Sequence, residues 1–150
     1  MRVVIQRVSQ ASVSINEKKV AAIHDGLLVF LGIEIQDTKE DSEWLANKIS
    51  QLRIFSDEEG KMNKSVTEVD GEVVVVSQFT LHAKTKKGNR PSYIKSSRPE
   101  HAIPLYEQFK KDMSAVTGKE VQSGEFAADM KVSLTNDGPV TIIIDTKNKE

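Results

Sequence analysis

Hydrophobic and polar positions alternate at the start of the chain, and Arg2–Val8 predicts a strand on that basis. Ala11–Ile15 predicts a second, with Val13 and Ile15 interleaved with serines. Asn16–Lys19 suits a hairpin turn into a short strand, Val20–Ile23. Asp25-Gly26 is another turn signal, and the unbroken apolar run Leu27–Ile33 that follows suits a buried strand. Periodicity then changes. Asp37 or Thr38 can cap a helix reaching about Ile54, with Leu45, Ile49 and Leu52 on one face. Ser56–Ser65 is polar, contains Gly60, and reads as a loop. Asp70-Gly71 turns the chain into a strand over Glu72–Leu81, built on four consecutive valines. A second helix is predicted from Pro99 to just before Gly118, burying Leu105, Phe109, Met113 and Val116. Met130–Thr135 and Val140–Asp145 read as closing strands around a turn at Asn136-Asp137-Gly138-Pro139, with Thr146–Glu150 as a frayed tail.

About seven strands and two helices, with no repeat or linker, predict a single mixed α/β domain. Its core is a mostly antiparallel, barrel-like sheet with the helices packed on one side. At 150 residues the chain can bury a sizeable core. It has no cysteine, so disulfides, thiolate metal sites and cysteine nucleophiles are excluded together. No run of 18 apolar residues suggests a membrane span, and the first ten residues lack the apolar block of a signal peptide. Cytoplasm is the expected location.

Net charge is only −1, which argues against a nucleic-acid partner until its distribution is considered. Val73–Pro99 contains no acidic residue but holds Lys84, Lys86, Lys87, Arg90, Lys95 and Arg98. Without those six, 15 basic residues face 22 acidic ones. Such a segment can touch phosphates locally, or it can be a solvated lysine-rich loop.

Familiar catalytic apparatus is missing. His24, His82 and His101 show no metal-ligand spacing, and no glycine-rich phosphate loop occurs. Ser77 lies five residues before His82, which leaves a serine–histidine pair open beside the plainer reading of a loop histidine among lysines. Two segments stand out chemically. In Ser77-Gln78-Phe79-Thr80-Leu81, strand alternation would place Gln78 and Thr80 on one face, an amide and a hydroxyl able to orient an ester. In Asn136-Asp137-Gly138-Pro139 every residue suits a turn.

Together, these segments resemble the two signature motifs of the D-aminoacyl-tRNA deacylase family. The resemblance runs over residues 1 to 145. Arg2-Val3-Val4-Ile5-Gln6-Arg7-Val8 resembles the family's opening strand, and Lys87-Gly88-Asn89-Arg90-Pro91-Ser92 its basic loop. Gly124-Glu125-Phe126 and Met130-Lys131-Val132 resemble the stretch before the second motif. Ala127 departs from it, standing where glycine is expected.

The resemblance implies a cytoplasmic homodimer that hydrolyses the ester of D-aminoacyl-tRNA and glycyl-tRNA and spares L-aminoacyl-tRNA. No cofactor is expected, and the histidine spacing argues against a metal site. Gly138-Pro139 would form a cis peptide entering the partner subunit's site, where its backbone rejects an L side chain. Gln78 and Thr80, with backbone N–H groups near Ser77 and Phe79, would bind the carbonyl. Phe126 and Met130 would pack on the adenine, Lys87 and Arg90 would meet tRNA phosphates, and Arg7 would brace the Gly138 turn. The lack of a base among these groups implies help from the tRNA's own terminal 2′-hydroxyl. Two other classes compete with this reading: a non-catalytic RNA-binding module, and a hydrolase of small D-amino-acid esters.

Overall fold

The computed structural model describes all 150 residues. β1 (Arg2–Ile15) is one long strand where the sequence pattern predicts two. It pairs antiparallel with β3 (Gly26–Gly32) over Arg2–Val8, and with β2 (Lys18–Ile23) over Ala11–Ile15. The β1–β2 turn has Asn16 and Glu17 at φ 49° and 66°, the two positive values a tight right-twisted hairpin requires. β6 (Glu72–Ser77) lies parallel to β3, and the short β7 (Gln122–Ser123) parallel to β6. Each parallel step is bridged by a helix, α1 (Lys39–Gln51) in the first and α2 (Pro99–Thr117) in the second. β8 (Lys131–Asp145) returns antiparallel along the free side of β1, closing the sheet towards a barrel.

Two cores result, one on each face. Val3, Ile5, Leu27, Val29, Leu31, Val73 and Val75 face the helices. Val8, Val13, Leu28, Val74 and Val76 face β2 and the first half of β8. β1 serves both cores because its register shifts between Gln6 and Gln10, changing which positions point inward. α1 buries Ser42, Leu45, Ala46 and Ile49, at helical spacing, against α2. Its start is fixed by the Asp41 carboxylate, which accepts the Thr38 N–H at 2.9 Å. α2 buries Leu105, Tyr106, Phe109 and Met113, and ends at Gly118 in the left-handed conformation. Tyr106 donates its hydroxyl to the Val75 carbonyl (3.2 Å), pinning α2 to β6, and burial pushes its phenol up to about 12.

Several local expectations are corrected. α1 stops at Gln51, with Leu52 already extended. The segment Ser56–Ser65, read as a loop, contains a hairpin between β4 (Phe55–Ser56) and β5 (Met62–Lys64), closed by Asp57 and Gly60. The strand expected over Glu72–Leu81 ends at Ser77, and Phe79–His82 is a 3-10 turn. Asn136–Pro139 does not separate two strands but bulges from one continuous β8. Gln6 is paired with Thr141 and Val8 with Asn136, so three extra residues accumulate on β8. Thr146, at the start of the expected tail, is buried and bonded to Met1 through both backbone and side chain.

Candidate functional site

Where β6 ends, the backbone of Gln78 still reaches back to β3, donating its N–H to the Leu31 carbonyl at 2.8 Å. The chain then tightens into the turn Phe79–His82. A 3-10 turn leaves its first N–H groups without partners inside the turn, here those of Phe79 and Thr80. The alternation expected of a strand is therefore absent, yet Gln78 and Thr80 still meet. The Gln78 amide donates to Thr80 Oγ1 at 2.5 Å; Gln78 lines a cavity of about 360 Å³, and Thr80 stands just outside its lining. Leu31, Ile33 and Val76 contribute apolar wall, Ser77, Gln78 and Phe79 line it at the end of β6, and Phe126 and Met130 complete the lining. Phe126 packs on Tyr106 with ring centroids 5.8 Å apart, so the α2 anchor also supports this wall. Ala127, between them in sequence, has φ 63°, a left-handed value that favours glycine and accounts physically for the glycine expected there.

His82 is not a loop histidine: it is 3% exposed, its ring lies where a Cβ on Gly32 would meet Cδ2 at 3.0 Å, and Nε2 is buried without a partner. No hydrogen bond joins it to Ser77. Nor is any group of three or more His, Asp or Glu side chains arranged so that it could hold a metal ion.

The second motif lies elsewhere. Gly138 and Pro139 are exposed at the crest of the β8 bulge and line no part of this cavity. The bond between them is cis. Asn136 shapes the bulge, accepting the Val140 N–H at 2.8 Å and donating to Thr141 at 3.0 Å. Arg7 secures it from behind, donating from Nε to the Asp137 carbonyl (2.8 Å) and from Nη1 to the Ile54 carbonyl (2.6 Å). A Cβ on Gly138 would meet Arg7 Nη2 and Val140 Cγ2, each at 2.9 Å. In the sheet, Ser77 lies level with Val3 through Leu31, whereas the bulge lies level with Arg7. At ~3.3 Å per residue and ~4.8 Å per strand, the motifs sit about 13 Å apart along the strands and about 14 Å across them.

Lys87 and Arg90 are exposed in the excursion between Lys84 and Ser92, whose backbones pair at its base, and line neither motif. Sequence reasoning missed the strap that follows. Ser96 Oγ donates to the Phe79 carbonyl at 2.9 Å, and Tyr93 meets the Phe79 ring edge-on at 5.0 Å. An aromatic flanked by lysines was the available signal.

A mixed sheet nearly closed as a barrel, with two helices and an aromatic-lined cavity at its rim, defines the architecture as a class of mixed α/β proteins. The same fold occurs in a probable eukaryotic D-amino acid tRNA deacylase at a TM-score of 0.82 and 18% identity, covering 95% of this chain and 97% of that one. The chain belongs to the D-Tyr-tRNA(Tyr) deacylase family, whose model matches residues 4–145. It is similar to the D-aminoacyl-tRNA deacylases of Bacteroides fragilis strain YCH46 (65% identical) and Flavobacterium johnsoniae (61%), each aligned over 100% of both chains. A solved structure described as a c-Myc DNA unwinding element binding protein is also similar. It is 38% identical with a TM-score of 0.91, covering 97% of this chain and 98% of that one.

Proposed function

We propose that this protein hydrolyses the ester joining a D-amino acid, or glycine, to the terminal adenosine of tRNA, and spares the L-aminoacyl ester. The observation that carries this is the 3-10 turn at the cavity rim. Its unpartnered N–H groups, with the Gln78 amide and Thr80 hydroxyl, offer hydrogen bonds where an ester carbonyl develops negative charge. Ser77 and Phe79 supply the backbone on either side of Gln78. A cavity of about 360 Å³ lies in the range of small-molecule sites, and Phe126 and Met130 give it faces for an adenine. Lys87 and Arg90, exposed on the neighbouring excursion, suit phosphate contacts that position the acceptor end without reading its sequence.

Two copies complete the site. Val4, Phe30 and Ile143 sit abreast on β1, β3 and β8, and Ile143 is 68% exposed. This apolar row lies between the level of the turn and the level of the bulge. A two-fold axis through it carries each Gly138-Pro139 towards the partner's turn. At Gly138 the absent Cβ lets the backbone approach the substrate's α-carbon, close enough to exclude an L side chain and admit hydrogen or a D side chain.

No general base stands in this set. Serine and threonine hydroxyls are poor nucleophiles without one, and His82 is turned into the core. The terminal 2′-hydroxyl of the tRNA therefore assists the attack of water. The enzyme acts in the cytoplasm.

The test is release of D- and L-tyrosine from charged tRNA, with light scattering for assembly. Expected are rapid D release, negligible L release and a dimer. Equal rates on the two enantiomers, or an active monomer, overturn the shared chiral site. A D-aminoacyl ester on tRNA ending in 2′-deoxyadenosine should be cleaved much more slowly; an unchanged rate at equal binding requires a base in the protein.

A further inference from the structure

Eight large hydrophobic side chains are exposed, and four of them, Ile35 (62%), Phe79 (55%), Tyr93 (38%) and Ile94 (70%), gather beside the carbonyl-binding turn. Their assembly is built into the backbone. Lys84 and Ser92 exchange N–H···O bonds of 2.8 and 3.0 Å, fixing the start of the strap. Further along, the Ile35 N–H reaches the Lys95 carbonyl (3.3 Å), Ser96 holds the Phe79 carbonyl, and the Ser97 N–H reaches the Ile33 carbonyl (2.9 Å). Ile35 and Ile94 line a depression of about 450 Å³ together with Lys84 and Lys95. Neither lysine has an ion-pair partner. Glu34 is the one acidic residue lining it, and a third lysine, Lys147, is already held by Asp41 at 2.9 Å.

An exposed apolar patch of this kind marks a contact surface, and its flanking charge says what kind. Aromatic and aliphatic faces that accept bases, interleaved with unpaired ammonium groups that meet phosphates, are the requirements for binding an unpaired RNA strand. We propose that this surface seats the single-stranded nucleotides that precede the terminal adenosine of tRNA. The proposal rests on the reading that the adjacent cavity takes that adenosine. Phe79 and Tyr93 border the cavity side, and Lys84, Lys95, Ile35 and Ile94 carry the strand outward. With no acidic residue from Val73 to Pro99, the same surface on a second copy would bring like-charged lysines together across a two-fold contact, whereas phosphates would neutralise them, which favours RNA as the occupant.

The experiment measures binding, so it does not depend on catalysis. Uncharged tRNA, either intact or trimmed of its unpaired 3′ nucleotides, is titrated against the wild-type dimer, the Lys84→Ala/Lys95→Ala variant and Ile94→Ser. Wild type should bind intact tRNA about tenfold or more tightly than trimmed tRNA. The double variant should erase most of that difference and flatten the salt slope by about 1.4, the value for two phosphates of a single strand. Ile94→Ser should reduce the preference several-fold. On the D-tyrosyl ester of adenosine alone, all three proteins should release D-tyrosine within twofold of one another. Equal loss of intact and trimmed tRNA, no loss of either, or dissociation of the Ile94→Ser dimer overturns the proposal; the last outcome makes the surface a subunit contact. Failure of wild type to cleave any D-ester sinks the hydrolase reading instead and leaves the binding result standing.

Discussion

Replacing Arg7 by methionine tests whether the β8 bulge is held in place from behind. Methionine keeps the apolar stem and removes the guanidinium. Arg7 is 11% exposed at its side chain and spends two donors on carbonyls, those of Ile54 and Asp137. Hydrogen bonds from a charged group contribute about 1.5–3 kcal/mol each. The Asp137 carbonyl is open to water and recovers part of its loss by hydration, while the 3.7 Å contact to the half-exposed Asp137 carboxylate adds little. The sum is about 3 kcal/mol. For a domain of this size, each kcal/mol lowers the melting temperature by about 2–4 °C, so the expected fall is about 6–12 °C. Thermal unfolding by circular dichroism measures it, and D-tyrosine release at 25 °C reports the function of the loosened bulge, with a loss beyond tenfold expected. Arg7→Lys, able to reach one carbonyl, should lie between. A melting temperature within 2 °C of wild type for Arg7→Met refutes the bracing role.

Gly138→Ala places a methyl 2.9 Å from Arg7 Nη2 and 3.1 Å from the Val140 nitrogen at φ 141°, and should abolish D-tyrosine release while the circular dichroism spectrum persists; an unchanged rate shows that the backbone does not approach the substrate there. His82→Leu removes an imidazole whose Nε2 has no partner, so release should stay within a few-fold; general-base loss would cost about 10²–10⁴-fold and would restore the serine–histidine pair. Burial raises the Asp41 and Asp145 carboxyls, but Lys147 and the Thr38 N–H at Asp41, and the Lys147 N–H and Arg2 at Asp145, outweigh it and hold both below the usual range. Native carboxylates so depressed add stability that is present above about pH 4 and lost as pH falls further, because the unfolded chain then binds more protons. Urea unfolding of Lys147→Met should accordingly lie below wild type at pH 7 and converge with it towards pH 2; a constant gap between the curves contradicts the assignment.

Much of this molecule is local in origin. The spacing of Leu45 and Ile49, and of Leu105, Phe109 and Met113, determines two amphipathic helices, because a 3.6-residue period needs only neighbours along the chain to be expressed. Asn16-Glu17 and Gly118 likewise carry their own turn and cap. The residues of both signature motifs, and the basic segment, were legible for the same reason: they are short stretches of fixed chemistry. Tertiary structure decided what those stretches become. Arg2–Val8 and Ala11–Ile15 join into one strand because β3 and β2 take up its two halves in turn while β8 runs past both. That unbroken partner also makes Asn136–Pro139 a bulge, since strands on either side of it are held to the same neighbour. The valine strand stops at Ser77 because Leu31 is the last residue of β3 paired with it; beyond that the backbone satisfies itself in a 3-10 turn. His82, polar in sequence, is buried because that turn directs it onto Gly32. The separation of the two motifs across four strands follows from strand order alone, and strand order is set by which faces can be buried together, a property no local pattern contains.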